Sequence, residues 1–73
     1  MAKYIELSRV LRERIASGKY GVGSLIPSES SLEREFNVSK ITVRNAVAML
    51  VNEGFLKKTR GRGNGTVVLR KNS

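Results

Sequence analysis

The 73-residue chain has no cysteine, no histidine and no aspartate, and only one proline. Lacking cysteine, it forms no disulfide and offers no thiolate to a metal, a usage that fits an intracellular setting. Lacking histidine, it has neither the commonest metal ligand nor the commonest general base. All its acids are glutamates, and Glu33 and Glu35 stand two apart on a helix, where side chains do not meet as a pair. The glycine run Gly61–Gly65 follows a strand but leads into another strand, which is not the setting of a phosphate loop. These absences argue against an enzyme and against a bound cofactor or metal. The longest apolar run, Ala46–Val51, is too short to cross a bilayer, and charged and polar residues recur through the first turns of chain, unlike a signal peptide. At this length the chain makes one domain, residues 1–73, with 40% hydrophobic residues for one core. A domain this small buries only roughly 60% of its unfolded surface, which leaves little room for an enclosed active-site cavity.

Positive charge is present in excess. Fourteen Lys and Arg face six acids, a net of +8. Residues 1–36 hold six basic and five acidic residues (net +1), and residues 37–73 hold eight basic and one acidic (net +7). A solvated, soluble face does not require such one-sidedness. A localised basic surface is the electrostatic footprint of a polyanion partner, here a nucleic acid.

Tyr4, Leu7, Leu11 and Ile15 step by three, four and four, the spacing of one apolar helical stripe. Core packing is the simplest use of that stripe. The first helix is predicted over 3–17, with Gly18 as its stop. Leu25-Ile26 reads as one brief strand ended by Pro27. Ser28 offers an N-cap, Glu29 lies in the first turn where the helix dipole favours an acid, and Leu32 and Phe36 face inward on a helix over 29–36. Asn37-Val38-Ser39 is a break, because Asn tolerates a left-handed turn and Ser39 is a good cap for a new helix. That third helix is predicted over 40–53, closed by Gly54. Two helices joined by three residues outline a helix-turn-helix. Phe55–Thr59 and Thr66–Arg70 then read as the strands of a hairpin over 55–70 with a basic, glycine-rich tip.

On the third helix, at 100° per residue, Val43, Val47, Leu50 and Val51 gather on a core face, and Ile41, Asn45, Ala48 and Asn52 fall opposite. An ordinary solvated helix carries Glu and Lys on its outer face. This one is small, neutral and hydrogen-bonding, suited to a major groove, where Asn can pair with an adenine edge and an apolar group can meet a thymine methyl. Ile41 stands in the first turn, where recognition helices meet bases; the competing reading tucks it under a neighbouring loop. Lys40 and Arg44 oppose the helix dipole slightly, which is tolerated if a phosphate or guanine edge awaits them. The amides behind Ser39 are a ready phosphate site. At the hairpin tip, Arg60 and Arg62 sit among Gly61, Gly63 and Gly65, where backbone can approach DNA closely and arginine suits a narrow minor groove; a merely flexible turn is the alternative. Lys57 and Lys58 alternate, so only one faces a given side, and contact or solvation stays open for the pair.

Four stretches, in order and correctly spaced, make the chain resemble the GntR family of bacterial transcription regulators: Ile26–Glu29, Phe36–Arg44, Asn52–Leu56 and Gly63–Val68. The resemblance implies a mainly α fold with a small β-hairpin (α+β), a winged helix-turn-helix of three helices plus a β-wing. It implies that Glu29, Lys40, Thr42 and Arg44 touch operator DNA or support the contact, that Arg60 and Gly61 form the wing tip, and that Lys3 meets phosphate. It also implies a C-terminal domain, outside this chain, that binds a small-molecule effector and forms a homodimer. Lys40 stands where arginine is usual, Val67 where an aromatic is frequent, and the tip is about two residues longer than in many relatives.

The expected function is therefore sequence-specific binding of a palindromic double-stranded DNA operator by part of a repressor in the bacterial cytoplasm, at the nucleoid. The expected DNA-binding set is Lys3, Ser28, Glu29, Ser39, Lys40, Ile41, Thr42, Arg44, Asn45, Arg60, Gly61, Arg62 and Gly63. The alternatives are RNA or architectural DNA binding without sequence preference, which the basic hairpin serves but the neutral third helix does not explain, and a protein-interaction module, against which the charge asymmetry argues.

Overall fold

The computed structural model describes residues 3–59 and 65–70. Helices α1 (Lys3–Ala16), α2 (Glu29–Phe36) and α3 (Lys40–Asn52) precede two short strands, β1 (Leu56–Lys58) and β2 (Thr66–Val68).

The helix ends are set by local chemistry. Gly18, with φ +86°, lets Lys19 N–H reach the Arg14 carbonyl at 2.9 Å and Gly18 N–H reach that of Ile15 at 3.1 Å. Gly54 (φ +87°) repeats this paired closure at α3, with Phe55 N–H donating to Leu50 O at 2.9 Å and Gly54 N–H to Val51 O at 3.1 Å. Asn37 takes the left-handed conformation at φ 52° after α2, and Val38 N–H closes on Glu33 O. Ser28 caps α2 by accepting from Ser31 N–H at 3.2 Å, and Ser39 caps α3 by accepting from Thr42 N–H at 3.2 Å.

The strands pair antiparallel, Leu56 opposite Val68, Lys57 opposite Val67 and Lys58 opposite Thr66. Both are shorter than the sequence predicts. The Phe55 amide is committed to the cap of α3, although Leu69 N–H still donates to Phe55 O at 2.8 Å. The strand expected at Leu25-Ile26 is a single bridge, Leu25 to Val67. Its neighbours complete a partial third row along β2: Gly23 N–H to Val68 O, Val68 N–H to Ser24 O, and Ile26 N–H to Thr66 O. Pro27, without an N–H, ends the row.

The core lies where α1, α3 and the hairpin meet. Leu7, Leu11 and Ile15 of α1, Leu32 of α2, Val43, Ala46, Val47 and Leu50 of α3, and Leu56 and Val68 of the hairpin are buried in one cluster. Val51, expected in the core, is only half-buried, and Ala46 takes the central place on that face. Arg14 ties the end of α1 to the end of α2. Its guanidinium donates to Tyr20 Oη and to Glu35, and it lies 4.9 Å from the Phe36 ring centroid. Beyond α3, Arg70 donates to Glu53 O at 3.0 Å and lies over the Phe55 ring.

The pair of Arg14 and Glu35 makes stability depend on pH. The hydrogen bond from Arg14 holds the Glu35 carboxyl below its usual range, against a small opposing effect of burial. A carboxylate depressed in the folded state stabilises above its unfolded pKa, and that contribution is lost as pH falls through the folded value. Glu35→Gln should therefore lower the melting temperature modestly at pH 7, and the difference from the parent chain should shrink as melts are repeated down through the acid range; a difference independent of pH would show that the pair does not act through charge. The helix-closing glycines give a second expectation. Gly54→Ala forces an L-residue into the left-handed region at φ +87° and brings its Cβ to 2.7 Å from Arg70 Nη2. Gly18→Ala at φ +86° meets nothing within 4 Å. Each should cost about 1–2 kcal/mol in denaturant titration, Gly54→Ala more than Gly18→Ala, because Arg70 must also move. In an Arg70→Ala background the excess should vanish.

Candidate nucleic-acid interface

The chemistry-bearing residues gather around the first half of α3. Ile41, Asn45, Ala48 and Asn52 are all exposed, as the helical period requires. Ile41 is 71% exposed, so it does not tuck under a loop. Lys40 and Arg44 are exposed beside them. The first turn of α3 contains no acid, so its amide end keeps its attraction for anions. Thr42 is held differently: its hydroxyl and that of Ser39 are hydrogen-bonded at 3.0 Å. Ser39 and Thr42 thus form a small unit that fixes the helix start and aims Ile41 and Lys40 outward.

The second wall comes from α2. Glu29, in its first turn, places Oε1 3.5 Å from Arg44 Nε. The side chains are 36% and 58% exposed, so the pair is worth at most about 1 kcal/mol. Its consequence is orientation: Glu29 draws the guanidinium of Arg44 toward α2. Ser28 and Glu29 also line, with Ser30, Leu32, Arg44 and Val47, a cleft of about 430 Å³ whose far side is Lys58, Thr59, Gly65 and Thr66 of the hairpin. The base of the hairpin is closed by Thr59, whose N–H and hydroxyl both donate to Gly65 O, at 2.9 Å each, while Gly65 N–H donates back to the hydroxyl.

Lys3 is exposed at the start of α1. Its neighbour Tyr4 shares an open hollow with Asn45, Ala48, Met49 and Asn52, so α1 begins beside the outer face of α3. Arg60, Gly61, Arg62 and Gly63 lie outside the described residues. Ser30, Thr59 and Thr66 join the site without being expected from sequence, and Lys58, left open there, joins it too. For Lys58 a signal existed: it is two residues from Leu56 on one strand, which puts the two on one face. Among the described residues no three carboxylates stand together as a metal site, and no helix is long and apolar enough to cross a membrane.

Residues 3–68 match the sequence profile described as "Bacterial regulatory proteins, gntR family". The uncharacterized HTH-type transcriptional regulator YurK of Bacillus subtilis is 40% identical over 60 residues, which cover 82% of this chain and 25% of that protein. The mannosyl-D-glycerate transport/metabolism system repressor MngR of Escherichia coli matches to the same extent. The chain thus spans about a quarter of the length of these relatives. Among solved structures, the AraR DNA-binding domain in complex with operator ORR3 superposes with a TM-score of 0.83 at 35% identity, covering 90% of this chain and 77% of that one. BusR of S. agalactiae, in complex with its busAB-promoter DNA, gives 0.83 at 32% identity, covering 97% of this chain and 34% of that one.

If Ser39 is the cap that aims α3, Ser39→Ala should cost about 1 kcal/mol of folding stability, read by denaturant titration. Ser39→Asp, which also caps, should recover most of it.

Proposed function

The chain belongs to the gntR family of bacterial regulatory proteins, and from that premise we propose that it is the operator-binding winged helix-turn-helix of a transcriptional regulator. The observation that carries the reading is the outer face of α3, exposed and uncharged at Ile41, Asn45, Ala48 and Asn52, with Lys40 and Arg44 at its edge. Such a face gains nothing in water. In a major groove each of its groups has a counterpart: a thymine methyl for Ile41, an adenine edge for Asn45, a guanine edge or phosphate for Arg44. The solved neighbours carry operator or promoter DNA, and several relatives are named repressors.

α3 is the recognition helix. Ser39 and the amides behind it, together with Ser28 at the start of α2, hold phosphates, and Lys3 meets the backbone from α1. Thr42 supports Ser39. Glu29 holds Arg44 toward α2 until a base edge or a phosphate takes the guanidinium over. The wing, with Arg60, Gly61, Arg62 and Gly63, grips the backbone or minor groove. A second domain beyond the matched segment supplies dimerisation and binds a small effector that releases a palindromic operator, in the cytoplasm at the nucleoid. The chain has no catalytic role.

Selection from a random duplex library gives the half-site. On that site Arg44→Ala should cut the ratio of operator to random-duplex affinity by roughly 5- to 150-fold, a loss on the order of 1–3 kcal/mol for the one base it reads, with the remainder kept by Ile41 and Asn45. Ala48→Ser, on the same face, should change the preferred site rather than abolish binding. Full discrimination by Arg44→Ala would sink the assignment of α3 as the reading helix.

A further inference from the structure

We infer that Lys58, and not its neighbour Lys57, is a DNA-phosphate contact, and that the cleft between α2 and the hairpin is where the phosphate sits. The inference rests on the functional reading above and adds a positioning residue to it.

Strand register separates the two lysines. Leu56 is buried, so the alternation of a strand puts Lys58 on the core-facing side of β1 and Lys57 on the other. The pairing agrees. Lys58 is opposite Thr66, and both line the cleft. Lys57 is opposite Val67, which pairs on its far side with Leu25, and none of these three lines the cleft. The double hydrogen bond of Thr59 to Gly65 O fixes this register one residue from Lys58, so the lysine stem leaves the strand at a set place.

Charge then decides which group serves an anion. Among the described residues the cleft is lined by three charged side chains, Glu29, Arg44 and Lys58. Glu29 engages Arg44 at 3.5 Å, and their charges cancel to first order. The net positive charge left among those three is that of Lys58. Opposite it stands the start of α2, where Ser31 N–H is taken by the Ser28 cap but the Glu29 and Ser30 amides have no acceptor within the helix, and whose rim carries the Ser30 hydroxyl. A phosphate between them takes donors from both walls and leaves α3, which forms the floor at Arg44 and Val47, directed into the groove. Among the described residues Lys57 has no such counterpart. Its face holds Val67 and Leu25.

The test compares Lys57→Gln, Lys58→Gln and Lys58→Arg in the 73-residue chain, with affinity measured on a selected operator and on random duplex across a salt series. Each phosphate neutralised contributes about 0.9 to the slope of log affinity against log salt. Lys58→Gln should lower that slope by about 0.9 and weaken binding about eightfold at 0.1 M salt, equally on both duplexes, because a phosphate contact carries no sequence information. Lys58→Arg should restore slope and affinity. Lys57→Gln should leave both unchanged. An unchanged slope in Lys58→Gln, or an equal drop in Lys57→Gln, overturns the inference. Loss of operator preference in the parent chain overturns the functional reading instead, and the comparison of the two lysines still stands on random duplex. A parent chain that binds no duplex overturns both.

Discussion

The packing of α3 against α1 is the contact on which the rest of the molecule depends. Leu7, Leu11 and Ile15 make one stripe on α1, and Val43, Ala46, Val47 and Leu50 answer it from α3. Ala46 lies fully buried between larger residues. A small side chain there lets the two helices approach, and overpacking at such a position is itself destabilising. Because α3 spends one face on this contact, its opposite face is fixed in direction. The hairpin and α2 are then placed by what remains of the same cluster: Leu56 and Val68 on one side, Leu32 on the other. The outer face of α3, its anion-attracting end and the cleft all inherit their positions from that one packed seam.

Much of this was legible in the sequence, and the reason is local chemistry. The starts of α2 and α3 follow from Ser28 and Ser39, and the helix ends from Gly18, Asn37 and Gly54, residues whose preferences act within one turn. The outward set of α3 followed from its period alone. The illegible features depend on groups far apart in sequence. The bond from Arg14 to Glu35 spans 21 residues, and that from Arg70 to Glu53 spans 17. No periodicity announces either. Leu25-Ile26 reads as a strand because its residues favour one, yet only one bridge forms, since Pro27 follows and the partner β2 is three residues long. The cleft was invisible for the same reason: its two walls are tied by a bond between distant residues, Ile26 N–H to Thr66 O, just before the start of α2.

Electrostatics divides the molecule in a way that composition only hinted at. The acids of the first half are in part spent on pairing: Glu35 with Arg14, and Glu29 with Arg44. The excess charge of the second half lies on α3, on β1, on Arg60 and Arg62 between the strands, and on the residues that follow β2. Glu29 is the one acid lining the basic cleft, and exposed ion pairs stabilise little. Its value lies elsewhere. A long arginine aimed by a carboxylate loses less side-chain freedom when it meets a base than one that starts unrestrained, and the restraint is weak enough to be exchanged.

Ile41 shows how far the fold alone explains this surface. Complete burial of an isoleucine side chain is worth about 1.5–3 kcal/mol. At 71% exposure most of that is unrealised in the free protein. The fold does not need it, because the core closes through Val43 two residues further on. Exposure alone is ordinary, since Val22 and Leu25 are each 59% exposed as well; what sets Ile41 apart is its place in the first turn of α3, beside Lys40 and Arg44. Against a thymine methyl it recovers part of the unrealised burial, an amount of the same order as the roughly 1–3 kcal/mol by which one base is preferred over another. A charged residue at the same position binds any phosphate. An isoleucine there favours only sites that present an apolar group at that depth of the groove, so on the operator-binding reading proposed above Ile41 serves sequence discrimination rather than affinity.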